Sequence, residues 1–258
     1  MLKITANISH NMSLYYDLMR IIFEKLDVLS QIRYRQIASF VYTNIHMTKF
    51  STVNIEFLKK LTDNILLKYP FCKELDASFS DKISNLNHLK CLRILRISEY
   101  AGQNAINELY ELDELTIRKP IVKKYRTLIS DLNHLKKLRK LDASYTNLPQ
   151  TAISDIYELV ELNIKHNPHI TNINHLVKLK KLIASGYCAI DQKGFSNLRE
   201  IVVLDITGKN KINSVKHLTK LKKLDAWRSG ISQLEINELC DSKQIKIRYT
   251  IQQIVFTN

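Results

Sequence analysis

Residues 173–185 read INHLVKLKKLIAS, and this phrase decides the fold because close copies of it recur along the chain. The copies are LNHLKCLRILRIS from Leu86, LNHLKKLRKLDAS from Leu132 and VKHLTKLKKLDAW from Val215. Each copy spaces its leucines by three and ends in a Leu-x-Ile or Leu-x-Ala pair. Such repetition predicts a series of similar structural units, each of which buries its apolar edge against its neighbours.

The leucine that opens each final pair, here called the anchor, also occurs in less basic phrases between these copies. The anchors are Leu75, Leu95, Leu115, Leu141, Leu162, Leu182, Leu204 and Leu224, with a degenerate last copy at Ile245. Their spacings are 20, 20, 26, 21, 20, 22, 20 and 21 residues. A period in the low twenties is typical of solenoids in which each turn contributes one short parallel strand. The spacing of three in the return segment favours tight 3₁₀-like turns over long helices.

The pattern resembles the leucine-rich repeat family, in its short-repeat form, over about residues 66–250. The resemblance implies an α/β solenoid of about nine turns, with parallel strands on a concave face and short 3₁₀ or helical segments on the convex side. We assign residues 69–258 to this solenoid and its C-terminal cap. The family's asparagine, three residues after the apolar pair, is matched only by Asn167. Other strand exits must therefore satisfy their backbone groups by other means.

Histidine stands seven residues before every second anchor, at His88, His134, His175 and His217. The intervening turns hold Glu108, Asp155, Asn197 and Glu238 in the same position. The repeating unit is thus two turns, and each imidazole is predicted to lie beside a carboxylate or amide of the adjacent turn. Histidines two turns apart are separated by about 10 Å, too far to share a metal ion, so no metal or other cofactor is predicted.

The formal net charge is +14, and the location of that charge decides which partners it favours. The outward strand positions around the anchors carry eight cations and seven anions. A nucleic-acid groove needs one sign of charge, so nucleic acid is disfavoured and the concave face is predicted to bind a protein. The predicted contact residues are Trp227, Arg118, Lys165, Asp142 and Asp225. Cover of Trp227 by the apolar end of the chain is the alternative for that residue.

The first 68 residues break the repeat and predict three short helices that cap the solenoid. Ser30 is predicted to cap the second helix, and the third is predicted over residues 51–68. The apolar residues of the first helix share one stripe; they include Leu14, Leu18, Ile22, Phe23 and Leu26. Three helices of this kind suffice to cover the first turn of the solenoid.

This stripe, followed by RQIAS from Arg35, resembles an F-box, the helical module that docks the adaptor subunit of cullin-type ubiquitin ligases. The resemblance implies that residues 14–42 contact that adaptor through the stripe. Tyr15 stands where the family has proline, and Val41 or Tyr42 where it has tryptophan, so a plain helical cap is the alternative. The order of the two parts and the Lys/Ile/Asn-rich composition resemble F-box/leucine-rich repeat proteins of giant amoebal viruses.

No GxSxG, P-loop or HExxH motif is present, and the chain has five glycines, so no enzymatic activity is predicted. Four cysteines without a CxxC pair indicate reduced thiols, neither a zinc module nor a disulfide scaffold. The first residues, MLKITANISHNMS, lack an apolar signal core, and no run of about 18 apolar residues occurs. We therefore expect an intracellular protein without membrane contact, in the host cytoplasm if the viral resemblance holds.

Together these patterns predict a non-enzymatic protein-interaction module. The leading hypothesis is a substrate receptor of the F-box/leucine-rich repeat type for a cullin-RING ubiquitin ligase. A plain leucine-rich repeat scaffold or inhibitor without a ligase link is the first alternative, and a basic nucleic-acid binder is the second.

Overall fold

The structure, a computed structural model, describes residues 21, 24–37, 48–50, 55–98, 101–118, 128–243 and 246–248. No helix within these ranges combines the length and the apolar character that crossing a membrane requires.

Within these ranges, ten strands form one parallel sheet whose spatial order follows the chain. The strands are β1 Lys49–Phe50, β2 Glu74–Ala77, β3 Ile94–Ser98, β4 Glu114–Arg118, β5 Lys140–Asp142, β6 Glu161–Asn163, β7 Lys181–Ile183, β8 Val203–Asp205, β9 Lys223–Asp225 and β10 Lys246–Arg248. The anchors of β2 to β9 stand directly opposite one another, from Leu75 beside Leu95 to Leu204 beside Leu224. The predicted α/β leucine-rich repeat solenoid is confirmed.

The two ends of the sheet differ from the prediction. Phe50 of β1 pairs with Leu75, so the sheet begins before residue 69. Phe50 is fully buried and packs edge-on against Tyr69 with ring centroids 4.9 Å apart, which lets an aromatic ring replace the anchor leucine. At the other end Ile247 pairs with Leu224, so the prediction of Ile245 as the last anchor was wrong by two residues. The division of the chain into domains at residues 68 and 69 stays a prediction.

The last anchor is displaced because its return segment is a regular helix. The helix Gln233–Lys243 has 11 residues, whereas the other described return segments contain at most a 3₁₀ helix of 4 residues. The three 3₁₀ helices are Gln103–Ala105, Gln150–Ile153 and Lys193–Phe195. They lie in alternate turns, between the turns that carry the histidine phrase. The two-turn unit read from the sequence is therefore also visible in the backbone.

The core lies between the sheet and the return segments and is built from the repeated apolar columns. In a representative turn, Ile173, Leu176, Leu179 and Leu182 are all fully buried. Burial of one leucine side chain contributes about 2 kcal/mol. Because the same columns are filled in each turn, the buried residues form one continuous cluster along the solenoid.

The described N-terminal helices are α1 Val28–Ile37, α2 Ile55–Leu58 and α3 Asp63–Leu66, and the C-terminal helix Gln233–Lys243 is α4. Asp27 caps α1, because its carboxylate oxygens accept the Ser30 amide at 3.0 Å and the Ser30 hydroxyl at 2.6 Å. The prediction that Ser30 caps this helix was therefore wrong. The single helix predicted over residues 51–68 is interrupted at Thr62, whose backbone is extended and whose side chain caps α3.

The one asparagine that matches the family pattern makes a buried rung between turns. Asn167 is fully buried, and its Nδ2 donates to the Leu148 carbonyl at 3.1 Å. Its Oδ1 accepts the amides of His169 and Ile170 at 2.9 and 3.0 Å. One side chain therefore satisfies three buried backbone groups at a strand exit.

Other side chains replace asparagine in the same column of other turns. The Ser80 hydroxyl donates to the Leu61 carbonyl at 2.7 Å. In another turn the Lys209 ammonium donates to the Cys188 carbonyl, and burial lowers the pKa of that ammonium. These contacts show how strand exits that lack the family asparagine pair their backbone groups.

A second ladder of amide side chains ties each turn to the next on the return edge. In a histidine turn, Asn133 accepts the Asp155 amide and donates to the Thr151 carbonyl, both at 2.8 Å. In the following turn, Gln150 accepts the Asn172 amide at 2.9 Å and donates to its carbonyl at 2.8 Å. Equivalent contacts are made by Asn87, Asn174, Gln103 and Gln192.

The repeated histidines point to backbone carbonyls rather than to carboxylates. Nε2 of His134 lies 2.9 Å from the carbonyl oxygen of Ile106, and Nε2 of His175 lies 2.9 Å from that of Ile153. The prediction of an imidazole–carboxylate row was wrong because these carbonyls, one turn earlier, are closer to the buried rings. Nearby lysines pair with the carboxylates instead, as Lys90–Glu108, Lys136–Asp155 and Lys216–Glu238.

Candidate functional site

The chain leaves strands β5 to β9 through one repeated turn. Four residues after each anchor, φ is positive: Tyr145 61°, His166 58°, Gly186 68°, Gly208 78° and Arg228 53°. Interstrand hydrogen bonds continue up to this position, as between the Gly208 amide and the Trp227 carbonyl at 2.8 Å. The residues three to five positions after these anchors therefore form a regular edge, which we call the exit rim.

Exposed aromatic rings line the exit rim. The rings of Tyr145 and His166 stack with centroids 4.7 Å apart, and His166 contacts Tyr187 at 5.4 Å. Tyr187 is 84% exposed and Trp227 is 37% exposed. Burial, and then the charge of neighbouring Lys165, lower the pKa of His166, so its neutral Nδ1 accepts the Tyr187 amide at 3.3 Å. The aromatic surface therefore carries an uncharged imidazole at neutral pH.

Cations lie over aromatic rings at the strand exits. The Arg228 guanidinium is 4.1 Å from the centroid of Trp227, and the Lys165 ammonium is 5.7 Å from that of Tyr145. Arg118, at the end of β4, lies 5.8 Å from the ring of Phe79. Attraction between a cation and the π face holds these side chains without neutralising their charge. Within the described ranges, Lys165 and Arg228 have no carboxylate within ion-pair distance.

The carboxylates beside the exit rim are engaged within the protein. Asp142 accepts the Ser144 amide at 3.0 Å and the Asn163 amide group at 3.1 Å. Asp225 accepts the Thr207 hydroxyl at 2.9 Å and pairs with Nε of Arg248 at 3.1 Å. These contacts make Asp142 and Asp225 parts of the frame.

A shallow hollow of about 330 Å³ opens at the exit rim between β6 and β10. Its lining includes Lys165, Ser185, Gly208, Asp205, Trp227 and Arg228. A β-carbon at Gly208 would meet no atom within 4 Å, so the missing side chain leaves open space. Ser185 is 3% exposed, and its hydroxyl has no hydrogen-bond partner in the described part of the chain.

A second hollow of about 240 Å³ lies over β4 to β7, and its charges are internally paired. Lys140 pairs with Glu114 at 2.5 Å, and Lys181 pairs with Glu161 at 3.0 Å. The hydrogen bond from Glu114 is the main reason why the pKa of Lys140 is raised. The two hollows thus differ in the cationic charge that they leave for a partner.

The five predicted contact residues do not form one group. Lys165, Trp227 and Asp225 line the hollow at the exit rim. Asp142 lines the second hollow, and Arg118 lies beside Phe79 at the exit of β4. The structure therefore divides the predicted concave site into an exit-rim cluster and two outlying residues.

Most of the predicted adaptor-docking residues cannot be placed. Leu14, Leu18, Ile22 and Phe23 lie outside the described residues. Leu26 is described and half-buried, at a bend between helical residues and α1. Docking of an adaptor by residues 14–42 stays a prediction.

Sequence reasoning missed the group that shapes the hollow. Neither the position of His166 nor the unpartnered Ser185 hydroxyl follows from the repeat pattern. A signal was nevertheless present, since two of the five glycines, Gly186 and Gly208, occupy the same column four residues after an anchor. That coincidence marks a left-handed turn, but it does not show which side chains surround the gap.

The sheet, its register and its return segments define a leucine-rich repeat solenoid. No protein-family model and no curated protein matches the sequence. Among solved structures, an internalin (inlF) from Listeria monocytogenes aligns with a TM-score of 0.53 at 15% identity, over 75% of this chain and 67% of that one. This likeness shows the fold alone.

Two further bacterial structures are similar at lower scores. InlJ from Listeria monocytogenes aligns with a TM-score of 0.47 at 18% identity, over 81% of this chain and 54% of that one. A leucine-rich repeat protein of Leptospira interrogans aligns with a TM-score of 0.43 at 14% identity, over 80% of this chain and 71% of that one.

Proposed function

We propose that the chain is a non-enzymatic protein-interaction module whose exit rim contacts a protein partner. The observation that carries this proposal is the group of exposed aromatic rings and unneutralised cations around one hollow on a rigid sheet edge. Tryptophan, tyrosine and arginine are the residues most enriched at interface hot spots. Trp227 and Arg228 supply such a pair at 4.1 Å.

Catalysis by a cysteine is disfavoured by the surroundings of the buried thiols. Burial raises the pKa of Cys72 to about 12 and also raises that of Cys188. A thiol must lose its proton to act as a nucleophile, so neither residue suits that role. This supports a binding function rather than an enzymatic one.

Partner capture from the native cell tests the binding proposal. Tagged wild-type protein, Trp227→Ala and Tyr157→Ala are purified from the same cells, and co-purifying proteins are quantified. Tyr157 is 52% exposed but lies on the return edge, where its ring packs against His175 at 5.8 Å, so it is a matched control. We expect Trp227→Ala to lose a partner that Tyr157→Ala keeps. Equal recovery by all three proteins would contradict the proposed site.

We further propose that residues 14–42 dock the adaptor subunit of a cullin-RING ubiquitin ligase, which would make the protein a substrate receptor in the host cytoplasm. The supporting observation is the F-box-like spacing, together with the bend at Leu26 between helical residues and α1. An amphipathic helix followed by a sharp turn and a second helix suits a helical docking module.

Pull-down of the purified adaptor by the full chain tests this second proposal. Leu18→Asp and Ile22→Asp should abolish capture, because a charge on the apolar stripe cannot be buried at an interface. Trp227→Ala should leave adaptor capture unchanged. If the head only caps the solenoid, the wild-type chain will capture no adaptor and the two Asp variants will lower only the stability.

A further inference from the structure

The charges at the exit rim differ in how much of their bonding capacity remains for a partner. Both oxygens of Asp142 and both oxygens of Asp225 accept hydrogen bonds or ion pairs within the protein. Asp205 accepts the Thr207 amide at 3.0 Å. Lys165 and Arg228 only lie over aromatic rings, and the described ranges hold no carboxylate partner for either. The rim is therefore nearly balanced in formal charge but cationic in its available hydrogen-bond donors.

The hollow brings these donors to one place. Lys165 and Arg228 both line it, and the Ser185 hydroxyl lies in the same lining, nine-tenths buried and without a partner. A buried hydroxyl without a hydrogen bond costs free energy, so an acceptor from outside would recover that cost. The absence of a side chain at Gly208 leaves room for such an acceptor.

We propose that this hollow binds a glutamate or aspartate side chain from an acidic segment of the protein partner. The carboxylate lies between Lys165 and Arg228 and accepts a hydrogen bond from Ser185, while the adjoining peptide packs on Trp227. Hydrogen bonds with two ionised donors are roughly twice as strong as neutral ones. This inference rests on the proposed protein-binding function and adds the chemistry of the partner.

A basic segment fits the same hollow poorly. A lysine or arginine side chain would approach two cations, while Asp225 is already paired with Arg248. A nucleic-acid strand is also disfavoured, because its phosphates would meet Glu114 and Glu161 on the neighbouring strands. An acidic peptide can place its carboxylates selectively, which a uniformly charged strand cannot do.

The chain has one tryptophan, Trp227, so its fluorescence reports directly on the hollow. Full-length protein is titrated with a capped hexaglutamate peptide, with hexaglutamine as the uncharged match, and with a short single-stranded oligothymidylate. We expect a saturable change in fluorescence with hexaglutamate and none with hexaglutamine. Stronger binding of the oligothymidylate than of hexaglutamate would overturn the proposal in favour of a nucleic-acid site.

Charge-matched variants assign the binding to the hollow. Lys165→Gln and Arg228→Gln should each weaken hexaglutamate binding by about tenfold. Lys193→Gln removes the same charge from an exposed residue of a return segment and should leave the affinity unchanged. Circular dichroism confirms that each variant is folded. Equal weakening by all three variants would reduce the effect to net charge and overturn the proposal.

Ser185→Ala provides a measurement that net charge does not affect. It should weaken hexaglutamate binding severalfold without lowering stability, because it removes a hydroxyl that has no partner in the described chain. An unchanged affinity would overturn the role of Ser185 in the proposal. Partner capture that depends on Trp227 but is unaffected by Lys165→Gln and Arg228→Gln would refute the acidic-segment inference and leave the binding function standing.

Discussion

Gly186 and Gly208 share a position four residues after an anchor, with φ of 68° and 78°, but their surroundings differ. A β-carbon at Gly186 would lie 2.4 Å from the His166 ring, whereas one at Gly208 would meet nothing within 4 Å. The same backbone requirement thus coexists with a filled space in one turn and an open space in another. The filled space holds the aromatic stack, and the open space forms the hollow.

We expect Gly208→Ala to lower the free energy of unfolding by about 1 kcal/mol, the cost of a left-handed alanine. Gly186→Ala should lower it by about 3 kcal/mol, because it also displaces the ring of His166. Urea-induced unfolding of both variants measures the difference. In a His166→Ala background the two glycine variants should become equivalent; a difference that persists would show that the ring is not its cause.

A buried imidazole makes stability depend on pH. Burial, and secondarily the charge of Arg199, hold the pKa of His217 below its ordinary value of 6.5. The unfolded chain then binds a proton more readily than the folded one, so this contribution to stability is complete above about pH 6.5 and is lost as the pH falls below it. We expect His217→Gln to reduce the fall in unfolding free energy between about pH 7.5 and pH 5.5. An unchanged slope would exclude His217 as a contributor.

Residue-scale prediction succeeded where one column defines the role and failed where neighbours compete. The sequence identified Asn167 as the family-type asparagine, and it is fully buried in that role. It assigned the helix cap to Ser30, whereas the carboxylate of Asp27 accepts the Ser30 amide. Both residues are good caps, and only the backbone conformation decides between them.

At the scale of elements, α4 closes the last described turn of the solenoid through one buried carboxylate. Glu235 is 6% exposed, and its Oε1 accepts the Val215 amide at 2.7 Å and the Ser214 hydroxyl at 3.0 Å. Gln192 performs the equivalent task one turn earlier, accepting the Ser214 amide at 3.1 Å. The helix is therefore joined to the ladder of amide side chains that runs along the return edge.

Glu235→Ala should lower the free energy of unfolding by about 2 kcal/mol, because the buried Val215 amide loses its acceptor. Leu234→Ala, at a neighbouring position that is 69% exposed, should change it by less than about 0.5 kcal/mol. Chemical denaturation followed by circular dichroism measures both values. Similar losses in the two variants would show that helix propensity, rather than the buried contact, governs the closing element.

At the scale of the whole molecule, each turn packs only on its neighbours, so the effect of a core substitution depends on its place in the row. Leu162→Ala in central β6 should cost about 3 kcal/mol and accelerate amide exchange in both β5 and β7. Phe50→Ala in β1, the first described strand, should accelerate exchange mainly in β2. Hydrogen exchange resolved by peptide measures this pattern. Uniform acceleration in both variants would indicate one fully cooperative unit instead.

The sequence by itself determined the number and register of the repeated strands, because the leucine period is written locally and each anchor fills the same buried place. It did not determine where the sheet begins, since Phe50 replaces leucine there, or where the last anchor lies, since α4 lengthens one return segment. Only the tertiary structure decided which charges remain available at the exit rim. That outcome depends on contacts between side chains about 20 residues apart, such as Asp225 with Arg248, which one-dimensional charge counting cannot distinguish from unpaired groups.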